Sequence, residues 1–297
     1  MQWYWDEGFK GIKYANIVLS RIDAGTYKDE AERNAVLGTA YFQRAYRYYK
    51  LTHQFGNVPF LDREYTEPKL DFYSHDRWSI LEQLKKDLEF AYEWVPEKVD
   101  RGRTSKAACG VLLMKVAMCL GDFDRAIEIG KEIVANHPLM TARFTSNKNK
   151  PNTNLMHDLH SVEAKMDMSN TEGLMYVVSY PDVEGRDRIQ TMRNATPYWA
   201  KGAAIVTPDG KTGTAISPAA ADKGTEIDND LHVGHGIGSC RANNYLQYDI
   251  WGEKEKNDLR SPNASGSWRR MTDLYYNDPG LKGKSEWYGN IWFARPI

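Results

Sequence analysis

Ala40-Tyr41-Phe42-Gln43-Arg44-Ala45-Tyr46-Arg47-Tyr48-Tyr49-Lys50-Leu51-Thr52-His53-Gln54-Phe55, followed at once by Gly56-Asn57-Val58-Pro59-Phe60, decides the fold class. The first run is the C-terminal half of a long helix that begins near Asp29. Ala31, Ala35, Gly38, Phe42, Ala45 and Tyr49 recur at three- and four-residue steps and form its inward stripe. The small members of that stripe admit a close neighbour. Gly56 stops the helix. Pro59 pushes Val58 out of the α region, so Val58-Pro59-Phe60 is expected to be extended.

Working outward, the upstream segment predicts a helix from Tyr4 to Ile22, with Trp5, Phe9, Ile12, Asn16, Leu19 and Ile22 on one face. Downstream, a cap at Ser74 or Asp76 opens a third helix. Its inward residues are Ile80, Leu81, Leu84, Leu88, Ala91 and Trp94, and Pro96 forces its exit. Trp78 and Trp94 read as core residues. A Ser105 cap starts a fourth helix to Leu120, Gly121-Asp122 makes a tight turn, and a fifth helix spans Phe123 to Asn136 before Pro138.

The last two helices resemble a tetratricopeptide unit. With Pro138 as the terminal proline, Ala126 takes the small helix-B position and Leu113 the helix-A leucine. Ala117 and Gly130 stand where that repeat has larger residues. One unit cannot bury its own face, so the second and third helices must supply the partner pair. The expected fold is therefore mainly α, with tetratricopeptide-like hairpins packed against an irregular, loop-rich lobe holding a few short strands. Residues 1–142 form the helical scaffold and 143–297 the lobe of the same domain. In the lobe, Glu172 to Ser179 reads as a short strand, and 203–238 is rich in Gly and Ala with little periodicity. Long irregular stretches of a compact protein usually carry function.

Composition narrows the function. The chain has 297 residues, 41% of them hydrophobic and 27% charged, which suits a folded globular protein. Its net charge of −1 gives no bulk attraction to nucleic acid or anionic membranes. No run is long and apolar enough for a transmembrane helix, and no signal peptide is visible. The chain opens almost inside a helix and ends at Ala294-Arg295-Pro296-Ile297, as a piece trimmed at both ends would. Cys109 and Cys119 lie about 15 Å apart along one helix, too far to pair.

Signals for catalysis are weak. His232, His235 and Cys240, and likewise His157 and His160, lack a second ligand pair at metal-site spacing. Gly234-His235-Gly236-Ile237-Gly238 lacks the lysine and flanking strand of a phosphate loop. No carboxylate pair or serine elbow is marked by a local motif. No cofactor or metal is therefore expected. Aromatics speak more strongly: nine Trp and 18 Tyr together outnumber the nine Phe threefold. Trp3, Tyr4 and Trp5 crowd the N-terminus, Tyr198-Trp199 follows Pro197, and Trp251, Trp268, Trp287, Tyr288 and Trp292 sit in polar context. Flat rings stack on the C–H faces of sugars while polar neighbours take the hydroxyls. Trp3, Trp5, Tyr198, Trp199 and Trp268 are the candidate platforms, with Arg193 and Asn194 as hydrogen-bonding candidates.

Several stretches together resemble the SusD/RagB family. They are Ala31-Glu32-Arg33, Ala40 to Tyr46, Tyr48 to Leu51 and Gly56-Asn57-Val58-Pro59. Ile80-Leu81 with Asp87-Leu88, Gly102-Arg103 with Lys106-Ala107-Ala108, Gly121-Asp122-Phe123, and Tyr248 to Trp251 with Asp258-Leu259-Arg260 also match. The resemblance implies a glycan-binding lipoprotein without catalytic activity. It would sit on the extracellular face of the outer membrane by a lipid anchor and pass oligosaccharide to a TonB-dependent transporter. The anchoring cysteine is not in this chain. The resemblance also points to Trp3 and Trp5, because family ligand contacts fall just before the first helix. A helical adaptor that binds only protein and a glycoside hydrolase are the competing readings.

Overall fold

The computed structural model describes residues 2–149, 153–178, 205–214, 242–252, 257–261 and 275–291. The chain divides into two units: Met1–Met140 with Met166–Val178, and Thr141–Lys165 with Ser179–Ile297.

The first unit is mainly α. Helix α1 spans Gln2–Arg21 and runs into a 3-10 turn, Ile22–Ala24. Helix α2 spans Glu30–Phe55; the Asp29 side chain accepts from Glu32 N at its start, and Gly56, at φ +77°, ends it. That left-handed φ costs a glycine nothing sterically. Val58–Pro59 is strand β1 and pairs antiparallel with β2, Ser74–His75. Helix α3 spans Arg77–Trp94 from an Asp76 cap that accepts from Trp78 N and Ser79 N. Helix α4 spans Lys106–Cys119 from the Ser105 cap, and α5 spans Phe123–Asn136 from an Asp122 cap. Each helix packs on the next: α1 on α2, α2 on α3, α3 on α4, α4 on α5. Helices α2 and α3 thus precede the α4–α5 pair in the stack, as one unburied hairpin face requires. No helix among the described residues is long and apolar enough to cross a membrane.

Burial explains the helix patterns. Helix α4 lies between α3 and α5 and buries Ala107, Ala108, Cys109, Gly110, Leu112, Leu113, Val116 and Ala117, so it is apolar nearly all round. Helix α5 ends the run and buries only Ala126, Ile129 and Ile133. Helix α2 faces both α1 and α3, so its buried set is wider than one stripe: Asn34, Gly38, Ala40, Phe42, Arg44, Ala45, Tyr48, Leu51 and Thr52.

Four expectations need correction. Ala31 is exposed, because it sits in the first turn of α2 before neighbouring helices cover it. Trp78 is 45% exposed. It lies in the first turn of α3, off the Ile80, Leu81 and Leu84 stripe, with the Arg77 guanidinium 4.3 Å from its ring. Trp94 is half-buried, next to Phe90. Residues 172–178 form no strand. Their backbone groups meet side chains instead of a ladder: Arg101 donates to the carbonyls of Asp167, Asn170 and Gly173, and Ser105 Oγ to that of Leu174.

A buried polar knot joins three of these helices to the loop between β1 and β2. Arg44 donates through Nε (3.1 Å) and Nη2 (2.6 Å) to Asp87 Oδ2. Its Nη1 donates to Asp62 O (2.9 Å) and Asn16 Oδ1 (3.3 Å). Gln83 donates to the other Asp87 oxygen at 2.9 Å. Burial pushes the Asp87 carboxyl up and Arg44 pulls it back; the pair is stabilising only while all these partners are present.

In the second unit, Asn154 caps the short helix α6, Leu155–His160, and α7 follows at Val162–Met166. Arg143 donates to both oxygens of the buried Asp158 and to Thr153 and Asn147. Val206 bridges Thr212, Tyr275 bridges Ile291, and Tyr276 packs edge-on to Trp287 at 6.3 Å.

Candidate functional site

The first turns of α1 place three aromatics at one end of the helical unit. Tyr4 and Trp5 lean on the end of α2: Tyr4 lies 6.2 Å and Trp5 5.1 Å from Phe55 by ring centroids, and Trp5 also meets Phe9 at 4.8 Å. Trp5 is therefore half-buried and committed to the helix junction. Trp3 is 70% exposed. Close approach of α1 and α2 sets this geometry. A Cβ on Gly8 would meet Leu51 Cδ2 at 3.0 Å, and one on Gly11 would meet Arg47 Nε at 2.7 Å.

Beside the Trp3 indole lies a recess of about 100 Å3 lined by Tyr4, Glu7, Gly8, Arg47, Lys50 and Leu51. It is too small to enclose a ligand, since binding pockets run from about 300 Å3 upward. It can serve as a platform. The indole offers a face, Glu7 accepts hydrogen bonds, and Arg47 and Lys50 donate them. This is the chemistry that a ring of hydroxyls above an apolar face requires.

Of the other residues marked by sequence, Arg193, Asn194, Tyr198, Trp199 and Trp268 lie outside the described residues, as do His232, His235 and Cys240. His157 contacts Asp158 at 3.9 Å. Among the described residues no three metal-capable side chains cluster. Sequence reasoning passed over a second group of rings, Tyr65, Phe72 and Tyr73, around a cleft of about 510 Å3 in the β1–β2 loop. Three aromatics within nine residues of a Pro-containing loop were the available signal.

A family model described as starch-binding and associating with the outer membrane matches residues 1–117, the stretch that carries α1, α2, the β1–β2 loop, α3 and most of α4. Over residues 1–117 this chain is thus similar to a SusD-like family. SusD-like protein P2 of Formosa agariphila is 32% identical over 145 residues, which is 48% of this chain and 28% of that protein. SusD-like protein P25 of the same organism is 27% identical over 143 residues, 45% of this chain and 26% of its own length. The chain thus matches about a quarter of the length of these curated SusD-like relatives. A solved SusD-like protein from Bacteroides fragilis is 20% identical and has a TM-score of 0.53, covering 74% of this chain and 44% of its own. At that identity the likeness concerns fold alone.

Proposed function

We propose that this protein is a non-catalytic glycan-binding protein of the outer cell surface, held there by a lipid anchor, that captures oligosaccharide and passes it to a TonB-dependent transporter. The observation that carries the reading is the match of residues 1–117 to a starch-binding, outer-membrane-associated family, together with the exposed Trp3 indole beside polar side chains. Trp3 supplies the stacking face, and Trp5 holds α1 against α2 from behind it. Arg193, Asn194, Tyr198, Trp199 and Trp268 are proposed to complete the glycan surface. The transporter side of the reading is supported by the outer face of α5, where Phe123, Ile127 and Val134 are exposed at four- and seven-residue spacing. Exposed apolar side chains on one helix face are the kind of surface a protein partner covers.

Titration calorimetry of the full chain against a panel of plant, algal and host polysaccharides tests the reading. Saturable heat with at least one neutral glycan, and no release of reducing sugar on long incubation, is expected. Absence of heat with every glycan overturns capture, and turnover abolished by a single carboxylate substitution replaces it with hydrolysis.

A further inference from the structure

The loop between β1 and β2 is built as a cleft with a rigid floor and an aromatic rim. Its first part is fastened to the helices. Leu61 N donates to the buried Tyr48 hydroxyl at 2.5 Å. Asn16 Nδ2 donates to the carbonyls of Leu61 and Arg63, and Arg44 donates to that of Asp62. Glu64 N donates to Ser20 Oγ, and the Glu64 carboxylate takes two bonds from Arg21. The return strand is held by the β1–β2 pair and by Phe60 N donating to His75 Nδ1. The Arg44–Asp87 knot lies beneath, with the guanidinium 5.7 Å from the Phe60 ring. Pre-set walls of this kind lower the ordering cost of binding.

The rim is different in character. Tyr73 is 72% and Phe72 43% exposed, which is unusual for rings that a core could have taken. Neither is left to wander. Tyr73 stacks on His75 at 4.9 Å with planes 28° apart, and Phe72 meets Tyr65 edge-on at 5.6 Å. The Tyr65 hydroxyl donates to Asp62 Oδ1 at 3.2 Å, and Lys69 pairs with Asp71 at 2.9 Å. Formal charges on the lining cancel, Arg44 and Lys69 against Asp62 and Asp71. At about 510 Å3 the cleft falls within the range of small-ligand sites. Flat exposed faces, carboxylate acceptors and zero net charge fit an uncharged polyhydroxylated ring compound. A nucleotide or an acidic peptide would need excess positive charge.

We infer that this cleft is a second carbohydrate subsite, taking a short neutral oligosaccharide segment, separate from the Trp3 platform. The Asn16 anchor of the loop lies thirteen residues along α1 from Trp3, about 20 Å of helix. The inference rests on the glycan-binding reading above, and it adds a second contact on one chain. Two weak contacts on a polymer reinforce each other, since the second binding event is intramolecular.

Affinity electrophoresis and calorimetry of the full chain test it with three variants: Phe72→Ala combined with Tyr73→Ala, Tyr73→Phe, and Trp3→Ala. The double variant is expected to bind its polysaccharide roughly tenfold more weakly at an unchanged melting temperature, as loss of one anchoring face implies. Tyr73→Phe keeps the face and is expected to retain most of the affinity. A double variant that binds as tightly as the parent overturns the cleft while leaving glycan capture intact. A parent chain that binds no glycan overturns both.

Discussion

Arg44 and Asp87 form a buried ion pair at the junction of three helices and the β1–β2 loop. Both side chains are buried, and the guanidinium also holds the loop through Asp62 O and the first helix through Asn16. Removing one member strands the other charge. Asp87→Ala is therefore expected to destabilise the unit by about 3–5 kcal/mol, read as a fall in the urea midpoint. A loss under about 1 kcal/mol would mean that water reaches Arg44. The Glu132 carboxylate tells a different story. Hydrogen bonds from Lys106 Nζ (3.0 Å) and Tyr92 hold it below its ordinary 4.5. A depressed carboxylate stabilises the fold above its unfolded value, and that contribution is lost as pH falls through the folded one. Melting curves between pH 7 and pH 3 should accordingly fall less steeply for Glu132→Gln than for the parent, and parallel curves would show the pair to be inert.

At the scale of elements, Gly110 decides between two opposing effects. Alanine in a helix interior is favoured over glycine by about 1 kcal/mol. A Cβ at Gly110, however, would meet Tyr92 Cε2 at 2.6 Å and Ile133 Cδ1 at 3.0 Å, where α4 is clasped between α3 and α5. Overpacking wins, and Gly110→Ala is expected to destabilise by about 1–3 kcal/mol in thermal unfolding. Ser105→Ala should cost about 1 kcal/mol or more, because Ser105 caps α4 and also donates to Leu174 O. These elements were legible in the sequence for a physical reason. Asp29, Asp76 and Ser105 announce helix starts by side-chain chemistry, and Gly56, Pro96 and Pro138 announce exits by backbone restriction. The start and end of α5 at Phe123 and Asn136 follow from such signals alone. Periodicity failed at the first turns: Ala31 shares the α2 stripe yet is exposed, and Trp78 lies off the buried stripe of α3. It was silent in the loop. Tyr65, Phe72 and Tyr73 face one cleft because of hydrogen bonds to residues 16, 44 and 48, a coincidence that no local pattern records. The same holds for residues 172–178, which read as a strand although Arg101 and Ser105 claim carbonyls of that stretch.

Across the whole molecule, two kinds of surface stand on one helical frame. Aromatic faces with polar neighbours sit at the start of α1 and in the β1–β2 loop, and an apolar stripe runs along the outside of α5. On the proposed reading, the first kind takes sugar and the second a protein partner. On that reading, Ile127→Asp abolishes co-purification with a transporter partner and leaves glycan affinity unchanged, because Ile127 is exposed on a helix remote in sequence from Trp3 and the β1–β2 loop. The most direct measurement is the dissociation constant of the full chain for its preferred polysaccharide before and after Trp3→Ala, at matched melting temperature. A rise of roughly tenfold is expected if the indole face carries binding. An unchanged constant would contradict the central claim that exposed aromatic rings on this scaffold hold the glycan.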